Sequence, residues 1–167
     1  MRIYFIWGLY NHNLFKSNHV IFFMERSERI IKGADSFEDA RGKIDNYELP
    51  ESINMIGLIT SKKGIMRANH YHPIQEQKVL LVSGKYISVY KDLKEDESPI
   101  RHQLIQTGDL SIMPPNVAHT MIFLEDSVFI NLVKGNRKHD KFEEHTTRYE
   151  LVKEEDIIKY ISLYDNK

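Results

Sequence analysis

The chain has 167 residues, with 23 Lys and Arg against 24 Asp and Glu, a formal net charge of −1, and no cysteine. That length suits one domain with a buried core, and the charge balance gives no general electrostatic basis for binding nucleic acid or an anionic membrane. Without thiols there is neither a disulfide framework nor a thiolate metal site, so any metal must be held by His, carboxylate, amide or water; the same absence fits a cytoplasmic protein.

Residues 1–34 open the chain with apolar runs broken by Asn11, His12, Asn13, Lys16, Asn18 and His19. Neither run approaches the roughly 20 residues that span a bilayer. The order of basic start, long apolar centre and small-residue cleavage site is missing, so neither a signal peptide nor a membrane partner is expected. One or two strands are expected here, or else Met24 is the true start.

Short apolar runs then recur: VIFFM (20–24), RIIKG (29–33), MIGLIT (55–60), KVLLVS (78–83), YISVY (86–90), HQLIQ (102–106), LSIM (110–113), HTMIFL (119–124) and VFINLV (128–133). Turn residues separate them, among them Lys63-Gly64, Thr107-Gly108-Asp109 and Pro114-Pro115-Asn116. Many short strands with regular turn signals predict an all-β sandwich or barrel. Ser83-Gly84-Lys85 reads as a tight hairpin, and KDLKEDESP (91–99) as a solvated loop. Both KVLLV and MIFL are apolar on both strand faces, so their outward faces should lie under another layer, either the N-terminal strands or a second subunit. In the tail, Ile157, Ile158, Ile161 and Tyr164 stand at helical spacing and predict a short helix packed on the outside, within 153–167. No inter-domain linker is visible; 1–167 reads as one domain with its barrel over about residues 35–150.

Gly64 is followed by five residues and then His70-Tyr71-His72, Gln77 and Gly84. Gly108 is followed by five residues and then Pro114-Pro115-Asn116 and His119. This resembles the two signature motifs of the cupin superfamily, G-x5-H-x-H-x3/4-E-x6-G and G-x5-P-x-G-x2-H-x3-N. The departures are Gln77 for Glu, Asn116 for Gly and Phe123 for Asn. The resemblance implies a cupin double-stranded β-helix, or jelly-roll barrel. In a strand, residues two apart share a face, so His70 and His72 can aim at one interior point, and a later strand can bring His119 to it. With a side-chain oxygen from Gln77 this set suits one divalent transition metal, Zn, Mn, Fe or Ni, if a metal is bound at all. Lys78 is expected to face solvent, which by alternation puts Glu76 outside and Gln77 inside with Val79 and Leu81. A neutral amide at that position predicts weaker metal binding than a glutamate.

A second resemblance is more specific. Phe37-Glu-Asp-Ala-Arg-Gly42, followed by Arg67-Ala-Asn-His-Tyr-His72 and Glu76-Gln77, is similar to the nucleotide-sugar branch of cupins. The dTDP-4-dehydrorhamnose 3,5-epimerases carry F-x-D-x-R-G and R-G-x-H-x-Q; the dTDP-4-keto-6-deoxyglucose 3,4-ketoisomerases carry R-G-x-H-A-H-K and then an E-Q pair. Ala68 stands where the latter have Gly, Tyr71 where they have Ala, and Pro73 where they have Lys. The tyrosine acid of the 3,5-epimerases has no counterpart around Asn131. The resemblance implies an isomerase or epimerase of a nucleotide-linked or related keto sugar, serving polysaccharide precursor synthesis, and a homodimer. Within it His70 is the general base, His72 or a metal steadies the oxyanion, and Arg67 pairs with the diphosphate, with Arg41 a second candidate. Tyr71 and Tyr86 are candidates to stack on the base or sugar. The competing readings are a metal-dependent cupin of another class, a dioxygenase or sugar-phosphate isomerase, and a non-catalytic cupin that binds a small ligand. His12, His19, His102, His139 and His145 lie outside the constellation and read as structural or surface residues.

Overall fold

The computed structural model describes residues 26–33, 35–40, 42–49, 51–134 and 145–164. Twelve strands and one short helix follow in order: β1 (Arg29–Ile31), β2 (Asp35–Asp39), β3 (Gly42–Asn46), β4 (Met55–Ser61), β5 (Met66–Tyr71), β6 (Gln77–Ser83), β7 (Lys85–Asp92), β8 (Arg101–Gln106), β9 (Leu110–Met113), β10 (Val117–Phe123), β11 (Ser127–Val133), β12 (Thr147–Arg148) and α1 (Ile157–Ser162). They form two five-stranded sheets, β1-β9-β6-β11-β4 and β12-β5-β10-β7-β8, and a separate β2-β3 hairpin. Every described pairing is antiparallel. The expected run at 20–24 lies outside the described residues.

The core sits between the two sheets. Val79 and Leu81 of β6 and Phe129 of β11 meet Tyr86 of β7, Ile105 of β8, and Met121 and Phe123 of β10. These residues alternate along their strands, so burial of one face selects the register.

Four sequence readings change in three dimensions, three of them along the strands and loops and one in what covers them. Ser83-Gly84-Lys85 is not a hairpin: β6 and β7 belong to different sheets, and Gly84 is the corner between them. Its φ is +95°, and a Cβ there would stand 2.2 Å from Ser127 Oγ and 2.8 Å from the carbonyl of Asp126, so both conformation and space demand glycine. Lys78 does point outward but is fully buried, because its Nζ lies 2.5 Å from Glu51 and 3.5 Å from Glu76. Residues 91–99 are not wholly solvated either. Asp92 ends β7 and is buried, where its carboxylate holds the guanidinium of Arg26; a paired charge is the kind that burial tolerates.

The outward faces of the two sheets differ. Ile87, Val89 and Ile122 lie under Val152, with Leu151, Ile157, Tyr160, Ile161 and Tyr164 packed beside them. The layer over MIFL is therefore the chain's own C-terminal segment, neither of the two expected. Ile158 points to solvent at 77% exposure. On the other sheet Ile56 and Leu58 of β4 are 63% and 72% exposed, and Val82 of β6 46%.

Candidate active site

The histidines converge. The ring centroids of His70 and His72 are 4.8 Å apart, His70 and His119 also 4.8 Å, and His72 and His119 5.5 Å. Their candidate donor atoms lie within 4.8 Å of one another. His72 and His119 are 2% and 3% exposed, and His70 is half-buried.

A β-bulge delivers this arrangement. Across β10 and β5, His119 pairs with His70, but Thr120 pairs with Ala68, so Asn69 is the extra residue. Ala68 and Asn69 have φ of 72° and 54°, the left-handed turn of backbone that a bulge can require. The consequence is a change of parity. Arg67 pairs with core-facing Met121, and cross-strand partners share a face. Residues three apart on a regular strand face opposite ways, yet here Arg67 and His70 face one side. Ala68 occupies the position where the ketoisomerase motif has glycine, and Asn116, at the glycine of the second cupin motif, has φ of 59°. Asn tolerates this conformation, whereas Ala does so at a cost of about 1 kcal/mol.

Backbone carbonyls orient two of the rings. His72 Nδ1 is 2.8 Å from the carbonyl of His145, and His119 Nδ1 is 3.1 Å from that of Val117. A carbonyl only accepts, so both Nδ1 atoms donate. In the neutral ring this leaves Nε2 with a lone pair, aimed inward. Gln77 points inward as expected: its Oε1 lies 3.1 Å from His72 Nε2. A neutral His72 with Nδ1 donating to His145 takes the NH2 of Gln77 as its donor at Nε2, whereas Oε1 in that place calls for a proton on Nε2. Glu76 stays outside, 3.0 Å from Arg29 and 3.5 Å from Lys78.

The donor set of three imidazoles and one amide fits Fe, Mn, Ni or Zn in type. Two ligands at about 2.1 Å from one ion are at most about 4.2 Å apart, so the rings must close slightly from a spread of up to 4.8 Å. His70, His72, His119 and Gln77 are the residues that would hold such an ion. It would supply Lewis-acid polarisation of a bound oxygen.

His70 opens onto a cleft of about 790 Å³, shared with Arg67, Asn69, Thr146, Thr147 and Arg148. Among the described residues the charged side chains lining it are Arg67 and Arg148, with no carboxylate. Arg67 reaches across from β5 to β4, where it donates to Ser61 Oγ and to the carbonyl of Thr60 at 2.9 Å. Tyr71 alternates away from the histidines and meets Tyr149 edge-on at 6.5 Å. Tyr86 is buried in the core against Phe123, 5.4 Å between ring centres, away from the cleft. Burial pushes its phenol well above the usual range. Arg41, His12, His19 and His139 lie outside the described residues. His102 is structural: it bonds Tyr164 at 2.8 Å.

Three contributors escape a reading of the sequence. Arg148 sits on a two-residue strand with no pattern to announce it. Asn69 owes its role to the bulge. Glu28 enters the barrel interior one alternation before Ile30, and its carboxyl accepts from Ser111 Oγ and, at 2.6 Å, from Gln103 Nε2. Burial raises its pKa, against the lowering effect of hydrogen bonds from Ser111, Gln103 and Ser88. It lines a second, interior cavity of about 10 Å³ together with Gln77, Tyr86, Ser88, Ser111 and His119, room for about one water molecule.

Paired antiparallel sheets rolled around an inward histidine pair, with a third histidine from a neighbouring strand, make this a cupin jelly-roll barrel. Solved structures share it. The chain is similar to a dTDP-4-dehydrorhamnose 3,5-epimerase from Sulfolobus tokodaii, at 21% identity and TM-score 0.58 over 75% of this chain and 82% of that one. It is similar to the 3,4-ketoisomerase QdtA from Thermoanaerobacterium thermosaccharolyticum, solved in complex with TDP, at 22% identity and TM-score 0.58 over 84% and 97%. A 3,4-ketoisomerase from Helicobacter canadensis matches at 20% identity and TM-score 0.56 over 82% and 98%. No family model matches the chain, and no curated protein matches it by sequence.

Proposed function

We propose that the protein is an isomerase or epimerase of a nucleotide-linked keto sugar, acting by proton transfer through His70 in polysaccharide precursor synthesis. The observation that carries this is the position of His70. It is the one imidazole of the three that lines the cleft, and among the described residues it shares that cleft with two arginines and no carboxylate. The similarity to structures described as a ketoisomerase in complex with TDP and in complex with TDP-4-keto-6-deoxyglucose supports the same reading.

The chemistry follows from the groups present. A ketone acidifies the neighbouring C–H by taking the released electron pair into an enediolate. His70 accepts that proton; its ordinary pKa near neutrality makes the transfer reversible. Return of the proton to the other face of the same carbon gives the epimer; its return to the other carbon, with the hydroxyl proton of the enediolate passing to the former ketone oxygen, gives the isomer. His72 and His119, with Nδ1 tied to carbonyls, present lone pairs beside the ring that becomes cationic. His72 would steady the oxyanion only with a proton on Nε2 to donate, or as one of the residues holding a metal that would supply that stabilisation. Arg67 and Arg148 suit the diphosphate, since a guanidinium fork matches phosphate oxygens. The missing tyrosine at Asn131, which faces the interior of β11 opposite Val79, favours ketoisomerisation over 3,5-epimerisation.

The test is NMR of dTDP-4-keto-6-deoxyglucose incubated with the protein. New sugar resonances that vanish with His70→Ala support the proposal; a wild-type protein that leaves the sugar unchanged, or a fully active variant, overturns it. A metal-dependent reaction of another class is the second reading, favoured by the convergence of His70, His72 and His119. Stoichiometric Zn, Mn, Fe or Ni retained through dialysis supports it. A homodimer through the bare face of Ile56 and Leu58 is part of the proposal, to be checked by sedimentation. No described helix is long and apolar enough to cross a membrane, and a cytoplasmic location is proposed with the nucleotide-sugar substrate.

A further inference from the structure

We infer that Asn69 is a positioning residue that builds the cleft from two sides at once. Its backbone is the bulge that turns His70 inward, and its side chain is the clasp that holds the C-terminal segment as a wall of the cleft. The hydrogen bonds are unusually complete. Asn69 Oδ1 accepts from Thr120 Oγ1 at 2.7 Å, from the amide of Leu151 at 3.0 Å and from that of Val152 at 3.1 Å. Its Nδ2 donates to the carbonyl of Val152 at 2.7 Å, and its own carbonyl accepts from the amide of Tyr149 at 2.9 Å. The partners fix which end of the amide is which, because backbone N–H groups only donate and a carbonyl only accepts. No other side chain of this size combines that donor with that acceptor and still tolerates φ near +54°.

The segment held this way carries Thr146, Thr147 and Arg148, which line the cleft with Arg67 and His70, Arg148 pairing with His70 across β12 and β5. Immediately upstream, the carbonyl of His145 holds the ring of His72. β12 itself contributes only two residue pairs to β5, too little ladder to fix the wall alone. The clasp therefore couples docking of the tail to the geometry of the histidines.

The test separates the two sides of Asn69. Asn69→Gly keeps the left-handed backbone and removes the clasp. Hydrogen exchange of the full-length variant is expected to show wild-type protection in β7 and β10, with the amides of Leu151 and Val152 exchanging at least about tenfold faster. Affinity for dTDP, measured calorimetrically, is expected to fall by at least about tenfold as the wall loosens. Unchanged protection at Leu151 and Val152 overturns the clasp. Lost protection with unchanged dTDP affinity overturns its role in the site. The dTDP arm rests on the nucleotide-sugar reading above; if the wild type does not bind dTDP, that reading fails while the exchange arm still decides the clasp. Should the glycine variant not fold, Asn69→Asp carries the same measurements: it has the same shape, but sets a carboxylate oxygen against the carbonyl of Val152.

Discussion

The two sheets of the barrel are alike in strand number and unlike in what covers them. Over β12-β5-β10-β7-β8 the C-terminal segment lays Val152, Ile157, Tyr160 and Ile161 on Ile87, Val89 and Ile122. Over β1-β9-β6-β11-β4 the outward side leaves Ile56, Leu58 and Val82 largely exposed, with Lys78 sealed by Glu51 and Glu76. The covered sheet is also the one that supplies His70, His119 and Arg67. The tail thus does two things at one place: it completes a hydrophobic layer, and it brings Arg148 to the cleft. Among the described residues, the tail's cover, His70 and His119 fall on one sheet, with His72 directly after its β5, while Gln77 of β6 comes to His72 from the other.

The contrast is breakable by mutation. The largest effect is expected on the covered side at the chemistry itself. His70→Ala should lower turnover of dTDP-4-keto-6-deoxyglucose by at least about 10²-fold, with an unchanged far-ultraviolet spectrum and melting temperature. Next, Ile122→Ala under the tail should cost about 3 kcal/mol in urea unfolding. Leu58→Ser on the bare face should stay within about 0.5 kcal/mol for a monomer. If that face joins two copies, Leu58→Ser will instead lower the sedimentation coefficient, which locates the dimer contact. A smaller gain is expected from Ala68→Gly: relief of the left-handed strain offsets the greater freedom of the unfolded chain and leaves at most about 1 kcal/mol of stabilisation. Asn116→Gly should be close to neutral in the same assay.

The last expected effect is one of pH, and the sheets differ in it too. Glu28 has its pKa raised by burial, so the folded state holds its proton where the unfolded chain has released it. Its contribution to stability is therefore greatest below the unfolded value of about 4.3 and declines as pH rises towards the folded pKa. Asp92 behaves in the opposite sense. Burial alone would raise it, but the bonds from Arg26 and the amide of Lys94 outweigh that and lower it; its contribution is present above about 3.9 and lost as pH falls through the folded pKa. Melting curves of Glu28→Gln should gain on the wild type between acid and neutral pH. A constant difference across that range would show that Glu28 does not titrate between the two states.

Much of the site is legible in the residues. The H-x-H pair predicts two imidazoles on one face, the resemblance to the second cupin motif implies the third, and alternation along β6 predicts Gln77 inside; all three come together in the structure. Strand alternation has less to say where a strand is irregular. Nothing local in Arg67-Ala-Asn-His announces that Asn69 is surplus to the ladder, and so nothing announces that Arg67 and His70 face the same way. Solvent-facing Lys78 fails for a related reason: alternation sets the direction of a side chain, whereas its burial depends on a loop that returns from Glu51.

What the sequence determined by itself is periodic and short-range: that the apolar runs from residue 29 to 133 are strands, though not β2, β3 or β12, that His70 and His72 share a side, and that Gln77 turns inward. What tertiary structure alone decided is everything that depends on distant segments meeting. That includes the assignment of β6 and β7 to different sheets, the carbonyl of His145 on His72, Arg148 beside Arg67, and Glu28 inside the barrel. The physical reason is that side-chain direction follows from local backbone geometry, while cover, pairing and desolvation are set by which remote part of the chain arrives to provide them.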